Sequence, residues 1–396
     1  MAYRIPAEPA SSSHVGITEK ARRWLDIRYR YPQGRREEDK CVAHAYHNPI
    51  HVGRLMGVLG ILYSVKDQIH SVVDIGCGDG YPAALARALI PSCNMTITDL
   101  SYNAVSHASS LYGLRSCAMG ADDLRFSDNS FDVVLCQEVV EHLDAPFMAI
   151  SELLRIAKMY VIITTEANAR SPIHRWLCVK TRQEQESHAE RNHWLGSDFY
   201  KLFNGTCSIF PQCDRHIECR AMPHDSIKIR ETMALLSKGN VQLKTSSGPI
   251  IVVKKTPSAR TPTVCIDNAI KKLITGEYHC DYLHHLDSWD ERSLQKIICP
   301  KCGANMLIVT QQECIQCEKC ERSFGSTQDA LDLLSLNIPD KGLQGDLIAI
   351  SRFNLHAPET RYMQNLARLF HAPRTGVDFL FYWWYRAARF FYRLSF

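Results

Sequence analysis

The sequence lacks a long apolar run at its start and a large excess of either charge. Its 396 residues include 46 Lys and Arg against 42 Asp and Glu, a formal net charge of +4. So small an excess does not by itself indicate a nucleic-acid-binding protein. Residues 1–20 are polar and contain Pro, Ser and Gly, so we expect no secretory signal and a cytoplasmic location.

Cysteine is not scarce, since the chain has 16. Thiols stay reduced in the cytosol, so the spacing of the cysteines has to show their role. The apolar content of 45% and the charged content of 22% are typical of a globular chain. This length predicts two or three domains.

A glycine-rich turn stands near residue 76. The stretch Ser71–Gly80 begins with β-branched residues, which predict a buried parallel strand, and a helical pattern follows from Tyr81. Its three glycines are Gly76, Gly78 and Gly80. Glycines allow a sharp turn and a close approach of the backbone to a ligand, and the free N–H groups of the following helix would face that ligand. The third glycine comes one residue too early for a dinucleotide-binding fingerprint.

Asp74–Gly80 resembles motif I of class I S-adenosylmethionine-dependent methyltransferases, and two further stretches match in the expected order, Met95–Ser101 and Gly120–Leu135. The resemblance implies S-adenosylmethionine as cofactor, with its ribose hydroxyls on Asp99. The family often has an acid where this chain has Gly120. The residues that the resemblance assigns to the cofactor are Asp74, Gly76, Cys77, Gly78, Gly80, Asp99, Leu100, Ala121, Asp122 and Gln137, with Ala121 and Asp122 near the adenine.

Strand and helix patterns alternate from residue 71 to 165. The predicted segments are 71–75, 81–90, 95–99, 102–112, 115–118, 132–137, 145–157 and 159–165. This alternation predicts an α/β fold, a doubly wound parallel sheet with helices on both faces. A helix is predicted over 51–65, and the apolar stretch Pro249–Lys254 is placed by the resemblance as a closing antiparallel strand.

Two carboxylates and an imidazole follow the fourth strand, in Glu138, Glu141 and His142. If a helix begins there, the three side chains share one face and could hold a magnesium ion at the carboxyl edge of the sheet. The stretch resembles the metal-binding sequence of ubiquinone-biosynthesis O-methyltransferases and of small-RNA 3′-end 2′-O-methyltransferases. The second of these families has a further histidine ligand downstream, and in this chain His188 or His193 would correspond to it. Two alternatives stay open: His142 as a general base without metal, and a turn that only shapes the cofactor pocket.

Two Cys-x-x-Cys pairs predict a zinc site. Fourteen residues separate Cys299-Pro-Lys-Cys302 from Cys317-Glu-Lys-Cys320, a spacing typical of four-thiolate zinc sites. Cys314-Ile-Gln-Cys317 is also a Cys-x-x-Cys pair, so Cys314 is an alternative ligand for one position of the second pair. Four sulfurs leave no open position on the ion, so the predicted zinc is structural. Residues 297–334 are similar to the small zinc-ribbon activator proteins that partner methyltransferases.

The last twenty residues, 377–396, are densely aromatic, with three arginines on one helical stripe. This pattern favours a peripheral membrane helix, although a helix docked on the protein or on a dimer partner fits equally well and stacking on RNA is a third interpretation. Charge interrupts it too often for a transmembrane span. The predicted division is 1–50 as N-terminal tail and cap, 51–255 as methyltransferase domain, 256–264 as linker, 265–340 as zinc-ribbon domain and 341–396 as C-terminal helical segment.

Together these patterns predict a methyltransferase with Glu138, Glu141 and His142 as its catalytic residues. The expected reaction is O-methylation of a hydroxyl on a small-molecule, lipid-linked or glycan-type acceptor. Metal-assisted 2′-O-methylation of RNA is the second hypothesis. A catalytically inactive scaffold that acts through the zinc ribbon is the third.

Overall fold

A computed structural model describes about half of the chain. The described residues are 22, 25–26, 29, 49–143, 146–165, 194, 196–203, 206–211, 249–264, 288–310, 313–326 and 330–334. The expectations for the tail 1–20, for His188 and His193, and for the aromatic segment 377–396 lie outside them. The described residues all belong to one compact unit within residues 1–338.

The strands form one large and one small sheet. In chain order they are β1 (Ser71–Ile75), β2 (Asn94–Asp99), β3 (Arg115–Ala118), β4 (Phe131–Gln137), β5 (Ala157–Thr164), β6 (Cys207–Pro211), β7 (Pro249–Lys254), β8 (Leu307–Val309), β9 (Cys314–Cys317), β10 (Ser323–Ser326) and β11 (Leu331–Asp332). The large sheet has the order β11-β3-β2-β1-β4-β5-β7-β6, and the small one β10-β9-β8.

Strands β11 through β5 of the large sheet are parallel, and β7 is antiparallel to both β5 and β6. The strand order reverses direction at β1, which lies between β2 and β4. Open α/β sheets bind their ligands at the carboxyl ends of the strands at such a switch point. The topology therefore places the glycine-rich turn after β1 where a ligand is expected.

The helices of the described residues are α1 (Pro49–Ser64), α2 (Tyr81–Leu89), α3 (Tyr102–Tyr112), α4 (Pro146–Ile156), α5 (Gly196–Leu202) and α6 (Glu291–Leu294), with a 3₁₀ turn at Lys66–Gln68. Ser101 caps α3, because its hydroxyl accepts the Ala104 N–H, and Gly113 ends it in the left-handed conformation. Within the described part of the chain, no helix is both long and apolar enough to cross a membrane.

The core lies on both faces of the large sheet. Val72 belongs to one apolar cluster, while its neighbours Val73 and Ile75 belong to the other, because successive side chains of a strand point to opposite faces. The second cluster continues into the small sheet through Leu307 and Ile315. The cysteine-rich segment thus packs against the large sheet through buried apolar side chains.

The predicted alternation is confirmed: the segments 71–75, 102–112 and 115–118 agree with the structure, and the others differ by one or two residues. The closing strand Pro249–Lys254 is also antiparallel as expected. Two strands of the large sheet were not predicted, β6 and β11, and neither were the individual strands of the small sheet. Strand β11 has only two residues, so it carries no periodic pattern in the sequence.

The proline-containing segment that follows β7 is held on the surface of the domain. The Tyr160 hydroxyl donates to the Arg260 carbonyl at 2.6 Å, and the Thr263 N–H donates to the Ser64 hydroxyl at 3.1 Å. Ala259 is buried. The segment therefore ties the end of the sheet to the end of α1.

Candidate functional site

The turn after β1 is built on glycines in the left-handed region. Gly76, Gly78 and Gly80 have φ angles of 74°, 56° and 74°. The N–H groups of Gly76 and Cys77 both donate to the Thr98 carbonyl, at 2.8 and 2.9 Å. The turn is thereby fixed against the carboxyl end of β2.

Steric space also requires glycine in this turn. A Cβ at Gly76 would lie 2.3 Å from a methyl carbon of Val139, and a Cβ at Gly78 would lie 2.8 Å from the Tyr29 hydroxyl. Real Cβ atoms essentially never come so close to other heavy atoms. Glycine is therefore required at these two positions, because neighbouring side chains occupy the space in which a Cβ would lie.

Asp99 ends β2 directly beside the turn. Its two carboxylate oxygens accept the Gly78 and Ser101 N–H groups, each at 2.9 Å, and the residue is buried. The Ser101 hydroxyl in turn donates to Asp26 at 2.6 Å. Backbone donors on both sides thus fix the orientation of the Asp99 carboxylate.

Asp74 is a second buried acid of the site. Its pKa is raised from 3.8 to about 7, mainly by burial and also by the nearby charges of Asp99 and Asp79, while the hydrogen bond from the Gln137 amide acts in the opposite direction. The Gln137 Nε2 lies 3.4 Å from the nearer oxygen, at the long end of hydrogen-bond distances. The carboxyl group is consequently close to half-protonated at neutral pH.

Cys77 is buried within the turn, and burial raises the pKa of its thiol well above the ordinary value. A thiol in such a setting is a poor nucleophile because the thiolate is the reactive form. We therefore assign Cys77 to the wall of the site and not to its chemistry.

The remaining predicted cofactor residues follow neighbouring strands. Leu100 comes directly after β2, Ala121 and Asp122 come shortly after β3, and Gln137 ends β4. The Met119 N–H donates to the Asp99 carbonyl at 2.9 Å, so the segment after β3 runs beside Asp99. The fold therefore brings all ten residues to the carboxyl ends of four adjacent strands.

The sequence of the same part of the chain matches a known family. Residues 73–162 fit the family model described as a methyltransferase domain. This part of the chain is therefore similar to methyltransferase domains. The family implies S-adenosylmethionine as its cofactor.

Solved structures with a similar fold include a SAM-dependent methyltransferase from Archaeoglobus fulgidus, with 17% identity, coverage of 52% of this chain and 94% of the other, and a TM-score of 0.35. The [4+2]-cyclase SpnF matches with 16% identity, 63% and 98% coverage and a TM-score of 0.39. A complex of the Haloferax volcanii Trm112 methyltransferase activator with a candidate methyltransferase matches with 20% identity, 56% and 93% coverage and a TM-score of 0.36. Values this low do not define an acceptor.

The described residues contain no helix that begins at Glu138. Residues 138–143 form turns, Glu138 has a φ of 55°, and α4 starts only at Pro146. Proline favours the first turn of a helix and disfavours helical backbone in the residue before it. The prediction that Glu138, Glu141 and His142 share a helical face is therefore wrong.

The two glutamates have separate protein partners. Glu138 forms an ion pair of 2.9 Å with Arg54 of α1, and the buried Glu141 accepts the Thr165 hydroxyl at 3.1 Å. His142 is half-buried in the turn. Within the described part of the chain, the side chains of Glu138, Glu141 and His142 do not form a metal-ligand cluster. The predicted magnesium site therefore finds no support there.

Four cysteines converge in the small sheet. The sulfurs of Cys299, Cys302, Cys317 and Cys320 all lie within 4.8 Å of one another, and the pairs Cys299–Cys320 and Cys302–Cys317 are 3.6 Å apart. Sulfurs about 2.3 Å from a tetrahedral zinc ion are about 3.8 Å apart. The cluster therefore has the donor set and the dimensions of a structural zinc site, and Cys314 is outside it.

The chain beyond the cysteine cluster joins the edge of the large sheet. Leu331 and Asp332 of β11 pair with Cys117 and Ala118 of β3. Asp332 also forms an ion pair of 3.0 Å with Arg22. Sequence reasoning missed Arg22, Asp26 and Tyr29 as neighbours of the cofactor turn. No local signal marks them, since their partners lie far along the chain.

Proposed function

We propose that this protein is an S-adenosylmethionine-dependent methyltransferase that methylates a hydroxyl group of a small-molecule, lipid-linked or glycan-type acceptor. The observation that carries the proposal is the position of Asp99, held by the Gly78 and Ser101 N–H groups at 2.9 Å beside the glycine turn. A carboxylate accepts up to about four hydrogen bonds. Asp99 is therefore suited to bind the two ribose hydroxyls of the cofactor.

The charges of the site fit the same cofactor. S-adenosylmethionine carries a sulfonium and an ammonium cation, and when bound it supplies an electrophilic methyl group. The negative charges of Asp99 and Asp79 both act on Asp74 and raise its pKa. A cation beside them would relieve this repulsion and would favour the ionised form of Asp74. The buried acids thus favour a cationic ligand over a neutral nucleoside.

His142 is the residue that we assign as general base. Glu138 pairs with Arg54 and Glu141 accepts from Thr165, and an imidazole is the side chain best suited to exchange a proton near neutral pH. His142 would accept the proton of the acceptor hydroxyl, and the bound cofactor would supply the methyl group to the acceptor oxygen. The two glutamates hold the turn that positions the imidazole.

The four cysteines support the second part of the proposal, a structural zinc ion. Cys299, Cys302, Cys317 and Cys320 would occupy all four positions of a tetrahedral ion, which leaves none for an acceptor. The ion would stabilise the small sheet, and through it the placement of β11 on the large one. It has no part in the transfer step.

The test is methyl transfer by the purified full-length protein from labelled S-adenosylmethionine into lipid, glycan, small-molecule and RNA fractions, with and without magnesium or chelator. Label is expected in one of the first three fractions and independent of magnesium. His142→Gln should keep cofactor affinity and lower the transfer rate by about a hundredfold or more. Label in RNA would overturn the proposed acceptor. Failure to bind the cofactor in calorimetry would favour the inactive scaffold.

A further inference from the structure

A cavity of about 390 Å³ lies between the large sheet and the segment that leads into the cysteine cluster. Arg115 of β3 and Phe131 of β4 line it from the sheet, and Trp289, Arg292 and Lys296 line it from the segment around α6. Its volume is within the range of small-molecule binding sites, about 300–1,000 Å³. The proposed methyl transfer leaves this cavity without a role.

The cavity lies at the amino ends of the parallel strands, whereas the cofactor turn lies at their carboxyl ends. Arg115 and Phe131 are the first residues of β3 and β4, and Asn94, which also lines the cavity, is the first residue of β2. The residues assigned to S-adenosylmethionine follow the carboxyl ends of the same parallel strands. The two sites are therefore separated by the length of the strands.

The lining is cationic. Arg115, Arg292 and Lys296 contribute three positive groups against one acid, Asp290, a net charge of +2. Arg115 is buried, donates to Asn94 at 3.0 Å and to the Ser293 hydroxyl, and has its carboxylate partner, Asp290, only at 3.8 Å. Its charge is therefore only partly compensated by the residues around it.

Lys296 adds a second cation beside Arg115. Burial lowers the pKa of Lys296, and the positive charge of Arg115 lowers it further, while Asp132 and Asp290 act in the opposite direction. Its ammonium group lies 4.6 Å above the centre of the Phe131 ring. Two cations that destabilise each other inside one cavity would both be stabilised by an anion bound between them.

Aromatic side chains form the apolar part of the lining. Phe126 and Phe131 pack edge to face at 4.9 Å, and Trp289 contributes a third ring from the segment before α6. A flat ring packs well against such a wall. We propose that this cavity binds a small organic phosphate: a phosphate monoester carries close to two negative charges, and the aromatic side chains would take a ring attached to it.

The test is calorimetric titration of the full-length protein at low salt, with S-adenosylhomocysteine present to occupy the cofactor turn. The probes are cytidine 5′-monophosphate, cytidine and inorganic pyrophosphate. We expect the monophosphate to bind about tenfold or more tightly than cytidine, and its affinity to fall as salt is added. Because pyrophosphate has no ring, we expect it to bind more weakly than the monophosphate.

Two substitutions test the lining without disturbing the buried Arg115. Lys296→Gln should weaken monophosphate binding about tenfold or more, and Arg292→Gln, which alters an exposed residue, should weaken it several-fold. Lys301→Gln is the matched control, because Lys301 is an exposed lysine that does not line the cavity. No binding at millimolar monophosphate would overturn the proposal, as would equal affinities of the Lys296 and Lys301 variants. Neither outcome depends on methyl transfer.

Discussion

Arg22 and Asp332 form an ion pair with 3.0 Å between Nη2 and Oδ2, although 310 positions separate them in the chain. The Arg22 Nε also lies 3.6 Å from Asp26, and Asp26 accepts the Ser101 hydroxyl at 2.6 Å. The Ser101 N–H donates to Asp99. A continuous series of polar contacts therefore runs from the strand after the cysteine cluster to the proposed ribose-binding acid.

The first prediction concerns this series of contacts. Asp332→Asn should lower the affinity for S-adenosylhomocysteine about threefold or more, because Arg22 loses its charged partner and holds Asp26 less firmly against Ser101. The cost in folding stability should stay below about 1 kcal/mol, since Asp332 is half-exposed, Asn can still accept a hydrogen bond from Arg22, and Asp26 remains near the buried guanidinium. Asp128→Asn removes an exposed acid paired with Arg155 at 2.8 Å and is the control. Equal affinities of the two variants in calorimetry would contradict the coupling.

The second prediction concerns the pH dependence of cofactor binding. The pKa of Asp74 is about 7 in the folded protein. A cationic ligand favours the carboxylate, so binding below that pH releases a proton, and affinity should rise with pH and level off above about 7. Calorimetry in two buffers with different ionisation enthalpies measures the proton count. Asp74→Asn should abolish the release, and an unchanged proton count in this variant would assign the effect to another group.

The third prediction concerns the folding stability of the protein without cofactor. Asp74 should make this stability fall as pH rises, whereas it makes cofactor affinity rise with pH. The folded pKa of Asp74 lies above the ordinary value of 3.8, so its contribution to stability is complete at acid pH and is lost as pH rises towards 7. Without cofactor, Asp74→Asn should therefore raise the melting temperature more at pH 8 than at pH 4. Melting curves at the two pH values test this. A larger gain at pH 4 would show that the sign is wrong.

The fourth prediction concerns the glycine turn. Gly76→Ala should destabilise the protein by about 3 kcal/mol, through the left-handed backbone and the overlap with Val139. Gly303 also has a positive φ, of 68°, but a Cβ there would meet nothing within 4 Å, so Gly303→Ala should cost about 1 kcal/mol. Adding Val139→Ala to Gly76→Ala should recover part of the free energy of unfolding that Gly76→Ala loses, as measured by denaturant unfolding. No recovery would mean that the overlap with Val139 is not what destabilises the turn.

Most of the large sheet could be predicted because its central strands are short runs of β-branched and apolar residues separated by clear helix patterns. The glycine turn and Asp99 could be predicted for the same reason, since the turn directly follows β1 and Asp99 is the last residue of β2. The conformation at Glu138 could not be predicted from such a pattern, because helix α4 begins only at Pro146. Strand β11 and the contacts of Arg22 depend on residues hundreds of positions away.

The fifth prediction concerns the cysteine cluster. The purified protein should contain one zinc ion per chain by elemental analysis. Cys317→Ser should lose it, because Cys317 is one of the four converging sulfurs, whereas Cys314→Ser should keep it, because Cys314 is outside the cluster although it lies in the same strand. Chelation should also expose β11 to hydrogen exchange, since the small sheet packs into the core that holds this strand. Loss of zinc from both variants would instead move the site to the alternative pair, Cys314 and Cys317.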